Sequence, residues 1–173
     1  GTVGGAVRMN AGTRREFLGP RIVSVTTLRP GEGLRRYVAR DIEWNYRETS
    51  IPFDEVVLEC EVATTEGSEQ EIRRAMQKSQ ERRRITQPLG LPSCGSVFRN
   101  PEGESVGRLI ENVGLKGALC GGAQISERHA NFIVNKGGAK AVEVLSLIHA
   151  ASDAVAERYG VELVPEVRFL GFE

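Results

Sequence analysis

Residues 87–93 have the sequence Gln-Pro-Leu-Gly-Leu-Pro-Ser, which interrupts the regular elements of the chain. Two prolines and one glycine bias this stretch toward extended or turn geometry and away from helix. We therefore predict a domain boundary here, with one domain over residues 1–87, a second over 88–160 and a closing strand over 161–173. Because helices and strands are predicted on both sides of the boundary, the chain is expected to have an α+β fold in two parts.

Two strands and one helix are predicted before the boundary. Residues 21–28 and 55–64 are rich in β-branched side chains and are bounded by Pro, Gly or Asp, which is typical of strands with one buried face. Ser68 and Glu71 have the spacing of a capping box, and good helix formers follow them. This pattern predicts a helix over residues 69–84.

Two helices and two strands are predicted after the boundary. Helices are expected over residues 105–113 and 139–159, because a glycine follows each of them and glycine most easily takes the left-handed conformation of a helix end. Residues 131–134 predict a short strand. Residues 161–170 predict a longer one, with Pro165 at an edge or a bulge.

The composition excludes several classes of protein. With 23 basic and 23 acidic residues the formal net charge is zero, so no overall field favours nucleic acid or an anionic membrane. Cys60, Cys94 and Cys120 are an odd number without the spacing of a metal site, which argues against a disulfide framework and against zinc. No apolar run reaches the roughly 18–20 residues of a membrane span. We therefore expect a cytoplasmic protein that binds neither nucleic acid, membrane nor metal.

Glycines cluster at the start of the chain. Gly4, Gly5, Asn10 and Gly12 lie within a dozen residues, and a loop of this composition lets backbone amides approach an anionic or planar ligand. A plain connection is the alternative, and it is the more common use of such turns. The chain begins at Gly1 without Met, in what looks like the middle of this loop, and we interpret it as a fragment.

Two segments carry candidate catalytic side chains. Ser96 lies on a turning segment before Asn100, and it is interpreted either as a proton donor or as an ordinary turn residue; the chemistry alone favours the turn residue. Arg47, next to Tyr46 in a polar segment, offers a planar fork to a carboxylate or phosphate. Its alternative is a solvated loop arginine.

Further charged candidates lie near the boundary and near the C-terminus. Glu166 is two positions before Arg168 in the predicted strand, where it is either an exposed residue of the alternating pattern or a buried functional acid. Arg82–Arg84 complement the dipole of the predicted helix, and their position before the boundary also allows a phosphate contact. For Glu166 and for Arg82–Arg84, a structural and a functional interpretation therefore both stay open.

A succession of motifs runs along nearly the whole chain. They are Gly1-Thr-Val-Gly-Gly-Ala-Val with Met9-Asn-Ala-Gly, Tyr46-Arg47 with Ser50, Gln87-Pro-Leu with Pro92-Ser, Gly95-Ser-Val-Phe-Arg-Asn-Pro, Gly121-Gly-Ala with His129-Ala-Asn-Phe-Ile-Val-Asn, and Pro165-Glu-Val-Arg-Phe. Each could arise by chance, but their order is specific. In this order they resemble the UDP-N-acetylenolpyruvoylglucosamine reductase family, also called MurB.

The resemblance implies a reaction of peptidoglycan synthesis. The family reduces the enolpyruvyl ether of UDP-N-acetylglucosamine to UDP-N-acetylmuramate, and it passes a hydride from NADPH to FAD and then to the substrate. It implies that Ser96 delivers the proton and that Arg47 and Glu166 stabilise the enol-like intermediate.

The resemblance also implies binding residues. The flavin contacts would come from Gly4, Gly5, Asn10, Gly12 and Tyr46. Arg84 falls where the family places a basic contact to the UDP phosphates, and Arg83 would serve if the register differs. Asn100 is a weaker candidate, for substrate or for local structure.

The chain also departs from the family pattern. Arg8 stands where the family usually has an aromatic or other uncharged residue. The family's N-terminal flavin-binding segment would precede Gly1, so we expect the 173 residues alone to bind flavin weakly or not at all and to be inactive. The compact stretch that follows Tyr46 is similar to the shorter type II enzymes.

Two other functions are weighed against the reductase. A non-catalytic module that binds a nucleotide sugar would use the arginine run at residues 82–84 for the diphosphate. A nucleic-acid-binding fragment built on the same run is disfavoured by the zero net charge and by the lack of a recognition motif.

Overall fold

The computed structural model describes residues 1–13 and 16–171 and divides the chain into two compact units. The first unit spans residues 1–67 and the second spans 68–173. Helices and strands together make up the chain, so the predicted α+β fold is confirmed. Within the described residues, no helix is long and apolar enough to cross a membrane.

The first unit is built on a three-stranded antiparallel sheet. Its elements, in chain order, are α1 (Val3–Arg8), β1 (Ile22–Arg29), β2 (Gly33–Val38), β3 (Trp44–Asn45), β4 (Glu48–Thr49) and β5 (Val56–Val62). β1 is the central strand between β2 and β5, while β3 and β4 form a hairpin. The core is made of Val7, Ile22, Val25, Ile42 and Ile51. β1 and β5 confirm the strands predicted over residues 21–28 and 55–64.

The predicted glycine-rich loop is wrong for Gly4 and Gly5, which lie inside α1. Thr2 begins this helix, because its hydroxyl accepts the N–H of Gly5 at 3.1 Å. A Cβ on Gly4 would lie 3.0 Å from the carbonyl oxygen of Val57, so glycine lets the helix lie close against β5. The missing side chain therefore serves the protein's own packing at this position.

The second unit is built on a four-stranded antiparallel sheet in the order β6–β9–β8–β7. Its elements are α2 (Glu69–Thr86), β6 (Ser93–Ser96), α3 (Val106–Asn112), β7 (Leu119–Cys120), β8 (Ala123–Ile125), β9 (Phe132–Asn135) and α4 (Ala141–Tyr159). Helices α3 and α4 contribute Ile110 and Ile148 to a core that also contains Phe98 and Ile125. The three predicted helices and the strand at 131–134 are confirmed, and Gly160 ends α4 with a φ of +63°.

Two local predictions in the second unit are wrong. Residues 161–170 contain only an isolated bridge between Pro165 and Phe98, because no neighbouring strand continues the pairing in the described part of the chain. Ser68 does stand at the start of α2, yet its side chain makes no capping hydrogen bond among the described residues. Residues 172 and 173 of the predicted strand lie outside the described part.

The division between the units differs from the predicted boundary. The units divide between Gly67 and Ser68, so α2 belongs to the second one. The boundary at residues 87 and 88 falls instead in the turn between α2 and β6, and it stays a prediction about the domains.

Candidate active site

Ser96 is the last residue of β6, and a bulge in that strand sets the direction of its side chain. The β6–β9 register shifts by one residue between Ser93, opposite Val134, and Ser96, opposite Phe132. Gly95 lies within the shift with a φ of +85°, a left-handed conformation that glycine takes without steric cost. Bulges are common beside active sites, because the extra residue redirects the side chains that follow. The half-buried Ser96 therefore stands at a break in the regular alternation of the sheet.

Asn131 holds the two buried residues that follow Ser96. The N–H of Val97 donates to the backbone carbonyl of Asn131 at 2.9 Å. The N–H of Phe98 donates to Asn131 Oδ1 at 3.0 Å, and Asn131 Nδ2 donates to the carbonyl of Phe98 at 2.9 Å. One side-chain amide thus satisfies both backbone groups of a residue that is only 1% exposed.

Glu166 lies along the other side of the same segment. Its N–H donates to the carbonyl of Val97 at 2.7 Å, and the N–H of Arg99 donates to the carbonyl of Val164 at 2.9 Å. These two bonds flank the bridge between Phe98 and Pro165 described above. Glu166 is therefore paired through its backbone with the residue that directly follows Ser96, and the two predicted residues lie on adjoining segments of the second unit.

Asn100 closes the loop that follows Ser96. Its Oδ1 accepts the N–H of Val106, the first residue of α3, at 3.2 Å. A side-chain oxygen at this place satisfies one of the free N–H groups of a helix start. This hydrogen bond supports a role of Asn100 in local structure, while its role in substrate binding stays a prediction.

Arg47 and Tyr46 form the two-residue turn between β3 and β4. Arg47 has a φ of +59°, which few residues other than glycine adopt. Its guanidinium lies 5.1 Å from the centre of the Tyr46 ring, and its Nη2 donates to the carbonyl of Gly12 at 3.0 Å. Tyr46 also meets Phe17 edge to face, with 6.4 Å between ring centres. These contacts hold the arginine in a strained turn, a backbone conformation often found at functional sites.

Asn10 fastens this hairpin to the segment after α1. It is 2% exposed, with Nδ2 donating to the carbonyl of Asn45 at 2.9 Å and Oδ1 accepting the N–H of Gly19 at 2.9 Å. Thr49 adds a hydrogen bond from its hydroxyl to the carbonyl of Arg8 at 3.2 Å. The turn that carries Arg47 is thus attached to residues 8–12 from both of its strands.

Arg8, the departure from the family pattern, has a structural role of its own. Its guanidinium donates to the carbonyls of Ile51 and Pro52, each at 3.1 Å, and also to the carbonyl of Glu55. A planar fork with five N–H donors suits three carbonyls that converge from one loop. An uncharged side chain could not replace these bonds, so the loop between β4 and β5 depends on this arginine.

The predicted flavin residues are largely occupied by contacts inside the first unit. Both ends of the Asn10 amide are bonded, and Gly5 is bonded to Thr2. A Cβ on Gly12 would lie 2.1 Å from the carbonyl oxygen of Glu16, so the bridge from Gly12 to Phe17 already requires glycine. These contacts all lie within the first unit, and the flavin role of these residues stays a prediction.

Arg83 and Arg84 lie exposed in the last turn of α2. Arg83 Nε donates to the side chain of Gln87 at 3.4 Å. The carbonyl of Arg84 accepts a bond from Arg128 Nη1 at 3.0 Å. Arg128 also borders a cavity of about 420 Å³ next to the turn between α2 and β6. The cavity is lined by Pro88, Gly90, Leu91, Gln124, Ser126, Glu127, Arg128, Val134 and Lys136. The end of α2 is thus attached to a cavity rim that carries further positive charge.

His129 stands next to Asn131 in a partly buried environment. Burial lowers the pKa of His129, and its Nδ1 accepts the N–H of Asn131 at 3.2 Å. A ring nitrogen that accepts a hydrogen bond is unprotonated, so the neutral form fits this position. Within residues 1–13 and 16–171, no group of three or more His, Cys, Asp or Glu side chains is arranged to hold a metal ion.

The predicted site residues therefore fall into two local groups. Ser96, Asn100 and Glu166 gather in the second unit, while Arg47 is held in the first with Tyr46, Asn10 and Gly12. The sequence interpretation gave Asn131 no role, although this asparagine bonds Val97 and Phe98, the two residues that follow Ser96. Its presence in the motif His129–Asn135 was the available signal, but a backbone-binding amide cannot be told from an exposed one by spacing.

Comparison with known proteins identifies the family that the chain resembles throughout its length. Residues 87–170 match the family model of the UDP-N-acetylenolpyruvoylglucosamine reductase C-terminal domain. The chain is 42% identical over 172 residues to the reductase of that name from Halalkalibacterium halodurans and 44% identical over 171 residues to that of Alkalilimnicola ehrlichii. The chain belongs to this reductase family. Each alignment covers 99% of the chain and 57% of the relative.

A solved structure supports the fold of both parts. The crystal structure of the MurB reductase from Thermus caldophilus superposes with a TM-score of 0.81 at 36% identity, covering 96% of the chain and 59% of that protein. The chain thus spans somewhat more than half the length of the reductases that it matches.

Proposed function

We propose that the complete protein is a cytoplasmic UDP-N-acetylmuramate dehydrogenase, which reduces UDP-N-acetylglucosamine enolpyruvate with FAD and NADPH in peptidoglycan synthesis. The observation that carries this proposal is the pairing of Glu166 with Val97, at 2.7 Å from N–H to carbonyl, beside Ser96. A hydroxyl and a carboxyl group on two paired segments are the two side chains that the second step of the reaction needs. The compact β3–β4 hairpin supports the type II form.

The reaction saturates the carbon–carbon double bond of the enolpyruvyl group. When bound to the complete protein, FAD reduced by NADPH would supply a hydride to this double bond. The electron pair of the double bond moves toward the carboxylate, and the adjacent carbon then takes up a proton. One hydride and one proton complete the two-electron reduction.

Three side chains of this chain divide the remaining work. Ser96 donates its hydroxyl proton to the carbon next to the carboxylate, and solvent or a neighbouring group restores it. Arg47 supplies a fixed positive charge to the substrate carboxylate, for which its planar fork is suited. Glu166 supports the enolic oxygen with a hydrogen bond, which requires that its carboxyl carry a proton at that moment.

The diphosphate of the substrate would meet the basic end of α2. Arg84 and Arg83 are exposed there, and Arg128 and Lys136 add positive charge at the adjoining cavity. Asn100, at the loop after Ser96, would orient the substrate from the opposite end. Arginine suits phosphate binding because it offers two parallel N–H donors.

Replacing Ser96 by Ala in the product of the complete coding sequence tests the proposal. Reduction of the flavin by NADPH should continue at the original rate, while reoxidation of the flavin by the enolpyruvyl substrate should slow by roughly 10²- to 10⁴-fold. Stopped-flow absorbance separates the two steps. Ser93→Ala, a change of the same residue type in the same strand, is the matched control and should leave both steps intact.

The remaining outcomes discriminate between the functions. Unchanged reoxidation in Ser96→Ala would remove Ser96 as the proton donor. If the unaltered protein oxidises no NADPH and yet binds the UDP-sugar, the non-catalytic nucleotide-sugar module is the better description.

A further inference from the structure

Asn131 is a buried residue near the proposed catalytic pair, and both ends of its side-chain amide make a hydrogen bond. It is 1% exposed, and its amide group bonds both backbone groups of Phe98 at 2.9 and 3.0 Å. Because the N–H of Phe98 must donate and its carbonyl must accept, only one orientation of the amide satisfies both bonds. The geometry thus requires asparagine's pairing of one acceptor with one donor.

This contact lies where three short segments of the chain pair side by side. On one side of residues 97–99 stands Asn131, and on the other stands the segment 164–166. In the described part of the chain, the segment 164–166 has a single β-bridge in place of a strand, so its backbone pairing there runs through residues 97–99. Asn131 therefore fixes the backbone on which both Ser96 and Glu166 depend.

We propose that Asn131 is a positioning residue that aligns Ser96 with Glu166. The inference rests on the proposed function, because it takes those two residues as the proton donor and its partner. Asn131 itself acts through the backbone of Phe98, two residues after Ser96. A displacement of about 1 Å at a reacting group can cost about 10²-fold in rate, so loss of this clamp should be felt in the chemical step.

Asn131→Asp is the sharpest variant, since it keeps the shape of the side chain and replaces the donor with an oxygen that is negatively charged when ionised. A carboxylate oxygen would then face the carbonyl oxygen of Phe98, and the two would repel each other. Asn112→Asp makes the same chemical change at an exposed position in the last turn of α3 and serves as the matched control.

The kinetic test uses the product of the complete coding sequence. In Asn131→Asp, kcat for flavin reoxidation by the substrate should fall by about 10²-fold. KM for the substrate and the rate of flavin reduction by NADPH should stay unchanged. Equal losses in both half-reactions, or a loss that matches a smaller folded fraction by thermal unfolding, would mean that Asn131 serves folding only and would overturn the proposal.

Hydrogen exchange provides a readout that does not depend on activity. Under native conditions, the amide of Glu166 should exchange faster in Asn131→Asp than in the unaltered chain, although Asn131 does not touch it. The amide of Val155, within the core helix α4, should not change. Unchanged exchange at Glu166 overturns the positioning role even if the reductase reaction is absent, so failure of the two proposals can be told apart.

Discussion

Glu143 joins the start of α4 to the turn between β7 and β8. Its Oε2 accepts the N–H of Gly122 at 3.0 Å and the N–H of Lys140 at 2.9 Å. These two backbone donors lower the pKa of the carboxyl, as expected where hydrogen bonds favour the charged form. One side chain in the first turn of a helix thus holds two elements together.

The lowered pKa of Glu143 predicts a pH-dependent contribution to stability. The charged carboxylate stabilises the folded state above the pKa that it has in the unfolded chain, and the contribution is lost as the pH falls through the lower folded value. Glu143→Gln should therefore unfold at lower denaturant concentration at neutral pH, and the difference should shrink in acid. Chemical denaturation at several pH values measures it, with the exposed Glu157→Gln as control. A difference that grows in acid would contradict the assignment.

Single residues also show where sequence reasoning stopped. The residues around Ser96 favour an ordinary turn residue, and only its place in a family motif indicates a proton donor. Asn131 lies in a family motif, but its role could not be predicted, because its two bonds join it to a backbone 33 positions away along the chain. Contacts between distant backbone groups are decided by tertiary structure, which residue types and spacing do not encode.

At the scale of elements, α2 and α4 are helices of similar length with different supports. In α2, Ile72 and Met76 remain 50% and 56% exposed, and none of its described side chains is buried. In α4, Ile148 is 3% exposed and lies in the core. The pair between Arg73 and Glu69 in α2 adds only about 0.3–0.5 kcal/mol, as exposed pairs of this spacing do.

This contrast predicts opposite responses to the same substitution. Ile148→Ala should lower the free energy of unfolding by about 2–5 kcal/mol, because it leaves a cavity in the core. Ile72→Ala should change it by less than about 0.5 kcal/mol, since alanine keeps helix propensity and no packing is lost. Urea denaturation of both variants checks this. A loss of similar size at both positions would show that a surface covers α2 in solution.

Elements were predictable where local signals and packing agree. The helix at 69–84 was found from its own residues, since helix formers run through it. The strand at 161–170 had the right residue types but obtained a single bridge, because strands need partners that the sequence does not name. The start of the chain read as a loop from its glycines, yet Thr2 and the close contact of Gly4 with Val57 make it a helix.

At the scale of the whole molecule, two units with separate cores are joined at the start of α2. Each core is apolar and buried, whereas the helix after the junction is exposed along its length. In proteins most of the stability of a helix comes from packing of its apolar face, and α2 buries none of its described side chains. Opening of α2 should therefore cost less free energy than opening of either core.

Limited proteolysis tests this difference within one chain. A glutamate-specific protease should cleave after Glu69, Glu71 and Glu81 in α2 before it cleaves after Glu143 and Glu157 in α4. Mass spectrometry of the early products identifies the bonds. Replacing the three glutamates of α2 together by Gln should remove these early products and leave the later ones. Early cleavage in α4 would contradict the order of stabilities.

Because of the bulge at Gly95, the face on which Ser96 lies depends on the number of residues in β6. Side chains of a strand alternate between its faces, so each residue added or removed turns all those beyond it to the opposite side. The extra residue of the bulge lets Ser93 and Ser96, three positions apart, lie opposite Val134 and Phe132, two residues of one face of β9. Insertion of a further residue before Ser96 would turn Ser96 to the opposite face, with every side chain chemically intact. During evolution of this gene, Ser93–Ser96 should thus accept exchanges at the exposed Cys94 and yet reject an inserted residue.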